Sequence, residues 1–173
     1  MKVWDAFVRL AHWTLVACVG AAWFARGAPH EWLGYAALGV VVLRLAWGRL
    51  GTRYARFGQF VLGPGRTLAY ARSVLERREA RYLGHNPLGA WMIVALLAAV
   101  ALAGVTGWLA TTERYWGVEW VEELHELCAD GLLGLAALHL AGVAYSSLRH
   151  RENLVRAMLT GRKAAPRPGD VFE

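Results

Sequence analysis

Residues 88–109 read LGAWMIVALLAAVALAGVTGWL, a run without a charged side chain. A helix needs about 20 apolar residues to cross the hydrocarbon core of a bilayer, so this run is long enough to span a membrane. Asn86 and Pro87 precede it and suit the N-cap and the first position of a helix. The run therefore predicts a transmembrane helix that begins at Pro87.

Three further segments have the length and apolar character of a membrane span. They run from about Val8 to Ala25, from Glu31 to Trp47 and from Val121 to Leu148. Of the 173 residues, 57% are hydrophobic, and nine are tryptophans, which favour membrane interfaces. The first span follows a short charged start, which predicts an uncleaved signal anchor. We predict an all-α fold, an integral membrane four-helix bundle.

Lysine and arginine predict the direction of the spans, because they concentrate on the cytoplasmic side. Most of the 19 lie at the start, between spans two and three, or in the C-terminal tail, while the two short loops hold only Arg26 and Arg114. Both termini are therefore predicted to be cytoplasmic. The net charge of +6 would also suit nucleic acid, but the apolar segments favour membrane topology, and we predict no nucleic-acid partner.

Two segments outside the spans have a distinct composition. Residues 65–81 have apolar side chains on one side and arginines around them, which predicts an amphipathic helix on the inner membrane surface between spans two and three. Residues 161–173 are rich in proline and polar residues and are predicted to be a disordered cytoplasmic tail. The transmembrane domain is therefore predicted to cover residues 1–160.

Four histidines in or beside the spans are the candidate functional residues, because ionisable groups are costly in lipid. With the predicted directions, His12 and His139 share an inner depth, and His30 and His125 share an outer depth. The 14 residues between His125 and His139 correspond to about 21 Å along a helix and place both on nearly one side.

Paired histidines at one depth on facing helices are typical ligands of a haem in a helix bundle. We predict two non-covalent haems b, with His12 and His139 as the axial ligands of the inner iron and His30 and His125 as those of the outer iron. Any one of these histidines alone would more often be a buried or interfacial side chain, but together the four satisfy one geometric model.

Other sites fit the sequence less well. No CxxC or CxxCH motif and no pair of histidines four residues apart is present, which disfavours covalent haem and zinc. No serine or cysteine shares a depth with a histidine base, so no catalytic residue is predicted. Cys18 and Cys128 are interpreted as small buried residues, and His85 and His150 as interfacial ones, with a quinone pocket or a haem propionate as the alternative for His85.

Several short motifs follow one another along the chain: VWD at 3–5, VRLAHW at 8–13, HEWLGY at 30–35, RLAWG at 44–48, GHNPLG at 84–89 and the His125/His139 pair. In these motifs the chain resembles the bacterial cytochrome b561 family, and more loosely the b-type cytochrome subunits of nickel-iron hydrogenase and thiosulfate reductase. The hydrogenase type carries an extra span that this sequence does not show. The resemblance implies a di-haem four-helix membrane cytochrome of the bacterial inner membrane, with His12, His30, His125 and His139 as ligands.

Further residues are predicted to support the haems. Arg9 and Arg44 are candidates for contacts to propionates or to a quinone, with snorkelling to the interface as the alternative for Arg44. Glycines in spans two and four either leave room for porphyrin or let the helices pack closely: Gly34, Gly131, Gly134 and Gly142.

Carboxylates gather near the predicted outer haem: Glu113, Glu119, Glu122, Glu123, Glu126 and Asp130. They are interpreted either as a solvated helix start or as a docking face for a basic periplasmic redox protein such as a cytochrome c. The leading functional hypothesis is electron transfer between this partner and membrane ubiquinone or menaquinone, as in a respiratory chain. Two alternatives are a superoxide:quinone oxidoreductase, which the acidic face disfavours, and a haem-free membrane scaffold.

Overall fold

The computed structural model describes residues 1–172, and within them it is helical, with two isolated bridges and no strand. A short 3-10 turn, Arg53–Ala55, lies between the second and third helices. The α-helices, in chain order, are α1 (Ala6–Phe24), α2 (Ala28–Leu50), α3 (Phe57–Phe60), α4 (Pro64–Leu75), α5 (Pro87–Ala110), α6 (Glu119–His150) and α7 (Leu154–Thr160).

The four long helices α1, α2, α5 and α6 are the predicted spans, and each is long and apolar enough to cross a membrane. Each observed boundary lies within three residues of the predicted one. The predicted start of α5 is also confirmed, because the Asn86 side chain accepts a hydrogen bond from the Gly89 N–H at 2.7 Å. Large apolar side chains such as Phe24 and Leu148 are exposed on these helices, as expected for surfaces that face lipid.

The amphipathic helix between spans two and three is shorter than predicted. It ends at Leu75, because the chain turns at Arg77, which has a left-handed φ of 56°. The Arg77 and Arg78 N–H groups donate to the carbonyls of Val74 and Ser73, which closes the helix end in the pattern that glycine usually provides. Since no glycine marks this turn, the residue pattern did not indicate it. The position of α4 on the membrane surface stays a prediction.

Two compact units divide the chain. The first contains Met1–Arg9, Ala46–Val94 and the residues from Leu138 onward, and the second contains Leu10–Leu45 and Ala95–Ala137. The four long helices contribute to both units.

In the first unit the two ends of the chain are hydrogen-bonded to each other. The Val3 N–H donates to the Gly161 carbonyl at 2.8 Å, and the Lys163 N–H donates to the Met1 carbonyl at 2.9 Å. This pairing supports the prediction that both termini lie on one side of the membrane. That this side is the cytoplasm, and that the tail from residue 161 is disordered, stay predictions.

Charged side chains are buried and paired in the first unit. Arg81 donates to both carboxylate oxygens of Glu152, at 2.7 and 3.2 Å, and also forms an ion pair with Asp170. These bonds raise the pKa of Arg81. Burial tends to raise the pKa of Glu152, but its bonds to Arg81 and to the Ala164 N–H hold it below the usual range.

Close helix packing defines the second unit. A side chain added at Gly104 on α5 would place its Cβ 2.5 Å from Leu38 Cγ on α2, so glycine is required for this approach. Just after the end of α5, the Thr111 hydroxyl lies 3.2 Å from the Tyr35 hydroxyl of α2 and shares a hydrogen bond with it. These contacts hold α2 and the end of α5 in register beside the N-terminal part of α6.

Candidate functional site

His30 and His125, which the sequence paired by depth, lie together in the second unit. His30 is in the first turn of α2, and His125 is in the second turn of α6. Their ring centroids are 5.9 Å apart, and the ring planes are almost perpendicular, at 85°. Both side chains are half-buried. Two imidazoles from different helices therefore lie next to each other.

Backbone carbonyls hold both rings through the same nitrogen atom. His30 Nδ1 lies 2.9 Å from the Ala22 carbonyl oxygen of α1, and His125 Nδ1 lies 2.9 Å from the Ala103 carbonyl oxygen of α5. A carbonyl oxygen only accepts hydrogen bonds, so the network assigns the proton to Nδ1 in both rings. The lone pair of each imidazole is therefore on Nε2 and is available to a metal ion.

Two α5 residues that no sequence motif indicated touch His125. The hydroxyl of Thr106 lies 3.3 Å from His125 Nδ1. At Gly107 an added Cβ would lie only 3.0 Å from His125 Cε1. One signal was available, since Thr106 is the only hydroxyl residue within the apolar run 88–109. The spatial link to His125 depends on helix packing and could not be read from spacing.

The geometry of this pair fits an axially ligated haem iron. Two metal–imidazole bonds of about 2 Å each, together with about 1 Å from each nitrogen to its ring centre, would hold the ring centres about 6 Å apart, close to the observed 5.9 Å. Gly34, one turn after His30, has no heavy atom within 4 Å of the position of an added Cβ, which leaves space beside the His30 side chain. Within residues 1–172 no group of three or more His, Cys, Asp or Glu side chains could hold a metal ion.

The other predicted pair is divided between the units, with His12 in the second and His139 in the first. His12 is half-buried, and its ring meets the Trp13 ring edge-on, with the centroids 5.0 Å apart. His139 is also half-buried. Their pairing on one iron stays a prediction.

The two candidate arginines have different surroundings. Arg44 is 5% exposed, which disfavours snorkelling, since a snorkelling side chain places its charge in water. Arg9 donates from one guanidinium nitrogen to the Leu159 carbonyl near the end of α7, where the helix dipole favours a cation. Its Nε is buried and has no hydrogen-bond partner among the described residues.

The remaining histidines and cysteines lie outside the His30–His125 pair. The His85 ring lies between the rings of Trp4 and Phe60, at centroid distances of 4.5 and 4.4 Å, in the first unit. His150 is half-buried at the end of α6. Cys18 is buried as predicted, whereas Cys128 is only half-buried.

The glycines and carboxylates named from the sequence are open to their surroundings. No heavy atom lies within 4 Å of an added Cβ at Gly131, Gly134 or Gly142. All six carboxylate residues of the acidic cluster are exposed: Glu113, Glu119, Glu122, Glu123, Glu126 and Asp130. Two of them lie in the first turn of α6, where carboxylates favour the helix dipole, and all six are accessible to a partner.

The family model described as prokaryotic cytochrome b561 matches residues 3–161. This range includes α1 to α7 and all six histidines. No curated protein and no solved structure matches the chain.

Proposed function

The chain belongs to the prokaryotic cytochrome b561 family, and on this premise we propose that it passes electrons between membrane quinone and a periplasmic redox protein through two haems b. Membership of this family, together with four apolar membrane-crossing helices, makes the chain a multi-pass protein of the bacterial inner membrane that carries electrons on b-type haem. The number of haems, the quinone and the partner belong to the proposal.

The proximity of His30 and His125 is the observation that carries the proposal. In the proposal, His30 and His125 bind one haem iron through Nε2, and His12 and His139 bind the other. Bound haem supplies a one-electron couple. The carbonyls of Ala22 and Ala103 orient the two imidazoles, and hydrogen bonds of this kind fix the tautomer and raise the basicity of a metal ligand.

Transfer of an electron from haem to haem, or from haem to a redox protein, requires no catalytic acid, base or nucleophile, whereas oxidation of a quinol to a quinone also releases two protons to the aqueous side. The chain's residues would hold two haems at fixed positions and exclude water from them. In the proposal, Arg44 and Arg9 balance the negative charge of haem propionates or contact the quinone. Arg44 is buried within a predicted span, where a charged side chain is a candidate for a functional role.

The exposed carboxylates on and before the start of α6 support a basic periplasmic partner, such as a cytochrome c. Complementary charge raises the rate of encounter between redox proteins. The same charge would repel superoxide, so a superoxide:quinone oxidoreductase is the second candidate and ranks lower.

Proteoliposomes that contain the haem-loaded protein test this proposal. We expect a quinol analogue to reduce the haem and externally added basic cytochrome c to reoxidise it. The rate of reoxidation should fall as the salt concentration rises. Glu122→Lys should slow the reoxidation, whereas Glu76→Lys, an exposed carboxylate outside the cluster, should not.

Three results would count against the proposal. Haem that is not reduced by any quinol would rule out the quinone as electron donor. Equal effects of the two lysine substitutions would rule out the acidic docking face. Rapid oxidation of superoxide that bypasses cytochrome c would favour the second candidate.

A further inference from the structure

We propose that Thr106 and Gly107 are positioning residues, which hold the His125 ring in one orientation and one tautomer and thereby set the affinity and reduction potential of its haem. This inference rests on the proposed role of His125 as an axial ligand. All of its contacts lie within the second unit.

The hydroxyl of Thr106 has a defined direction. Its oxygen lies 2.8 Å from the Leu102 carbonyl and 3.1 Å from the Ala103 carbonyl, both in its own helix. The single hydroxyl proton is donated to one of these carbonyls, so a lone pair of the oxygen is directed to His125 Nδ1 at 3.3 Å. Thr106 therefore acts on the ring as an acceptor.

Two acceptors then share the Nδ1 proton of His125, namely the Ala103 carbonyl at 2.9 Å and the Thr106 hydroxyl. The opposite tautomer would set an Nδ1 lone pair against the Ala103 carbonyl oxygen. Thr106 is only 5% exposed, so water has little access to replace its hydroxyl. The α5 helix thus selects the tautomer that leaves Nε2 free for iron.

Gly107 lets the ring lie against the α5 backbone. An added Cβ would be 3.0 Å from His125 Cε1 and 3.2 Å from Nδ1, which is tighter than an ordinary van der Waals contact. A methyl group at this position would require the His125 ring to shift by a few tenths of an ångström. The glycine and the two acceptors therefore determine the same ring position.

The hydrogen bonds that the Nδ1 N–H donates change the basicity of the other ring nitrogen, Nε2. An acceptor at Nδ1 raises the electron density on Nε2, and a more basic ligand favours the oxidised iron. Removal of one acceptor should raise the reduction potential of this haem and weaken its binding.

Redox titration and haem-retention measurements on the holoprotein test the inference. For Thr106→Val we expect one of the two haems to titrate at a higher potential and to be lost about tenfold more readily, with the other haem unchanged. Thr106→Ser restores the hydroxyl and should restore both values. Thr112→Val is the matched control, because the Thr112 hydroxyl donates to the Leu109 carbonyl of α5, outside the His125 network.

Gly107→Ala is a second test of the inference. It keeps the Thr106 hydroxyl but displaces the His125 ring, so it should also change the reduction potential and retention of one haem alone. Wild-type potential and haem retention in both Thr106→Val and Gly107→Ala would overturn the inference, as would a Thr106→Ser protein that behaves like Thr106→Val. His125→Ala separates this failure from that of the proposed function. If His125→Ala loses one haem, the proposed role of His125 as a haem ligand stands whatever Thr106 does, and if it retains both, that role fails.

Discussion

The two units satisfy their buried polar groups in different ways. In the first unit, buried charges meet opposite charges, as Arg81 does with Glu152 and Asp170. In the second unit, the His30 and His125 rings are held by backbone carbonyls. The difference indicates that ionic contacts stabilise the first unit, whereas neutral hydrogen bonds orient the two imidazoles of the second unit.

The chemistry of each environment accounts for this difference. A carboxylate beside the Nδ1 of a ligand would bring a full charge into the apolar part of the chain, where charge is costly. A carbonyl oxygen orients the ring without that cost. Substitutions that separate stability from haem binding therefore test this difference between the units.

Arg81→Ala should cause the largest loss of stability. It leaves the Asp170 carboxylate buried without its ion pair and leaves Glu152 with only Lys163, whose Nζ lies 3.9 Å from its carboxylate, which costs about 3–5 kcal/mol in the free energy of unfolding. The measurement is thermal or denaturant unfolding in detergent, together with haem content per folded chain. We expect haem content to be unchanged in the chains that remain folded.

Arg78→Ala is the matched control, since Arg78 pairs with Glu76 on the surface, where the two side chains are 75% and 52% exposed. Such a pair contributes about 0–1 kcal/mol. If Arg78→Ala and Arg81→Ala lower the free energy of unfolding equally, burial of the ion pair does not determine its contribution to stability.

Glu79→Gln should have an intermediate effect that depends on pH. The Glu79 carboxylate accepts hydrogen bonds from Arg149 and Tyr145. Burial tends to raise the pKa of Glu79, but these bonds together with a backbone bond outweigh it and hold the pKa below its usual value of 4.5. The group therefore stabilises the fold above pH 4.5, and this contribution is lost as the pH falls further.

At pH 7 we expect Glu79→Gln to lose about 1–2 kcal/mol, since a hydrogen bond to a charged group contributes on this scale. Between pH 7 and pH 3, the free energy of unfolding should change less with pH in the variant than in the wild type. A variant with the acid dependence of the wild type would show that Glu79 is not responsible for it.

Tyr35→Phe should have the smallest effect. It removes the hydrogen bond between the Tyr35 and Thr111 hydroxyls in the second unit, a neutral bond that contributes about 0.5–1.5 kcal/mol. Unfolding should shift slightly, and both haems should remain. Loss of a haem in this variant would mean that the backbone carbonyls alone do not hold the His30–His125 site in place.

Much of the fold could be predicted from the sequence, because membrane spans are set by local composition. The run 88–109 and the Asn86–Pro87 start predicted α5 almost to the residue. The end of α4 was missed, because Arg77 adopts a left-handed conformation without a glycine to mark it. Local rules predict an element well when the local residues determine it.

The site was partly predictable for a related reason. Depth along antiparallel spans requires only helix rise and direction, and it paired His30 with His125. The contacts of Thr106 with His125 and of Arg81 with Glu152 join residues far apart in sequence, and they depend on how helices rotate against each other. Hydrophobic periodicity was too weak to predict that rotation, since neither α5 nor α6 has a distinct apolar face along its length.

Haem content per chain in His30→Ala and His125→Ala, with His150→Ala as the control, tests most directly whether the two rings share one iron. Pyridine haemochrome assay and reduced-minus-oxidised spectra of the purified proteins provide the measurement. We predict about two haems b in the wild type and in His150→Ala, and the same single haem lost in both other variants. Two haems retained in either His30→Ala or His125→Ala would contradict the shared iron, because the substituted ring would then not be one of its ligands.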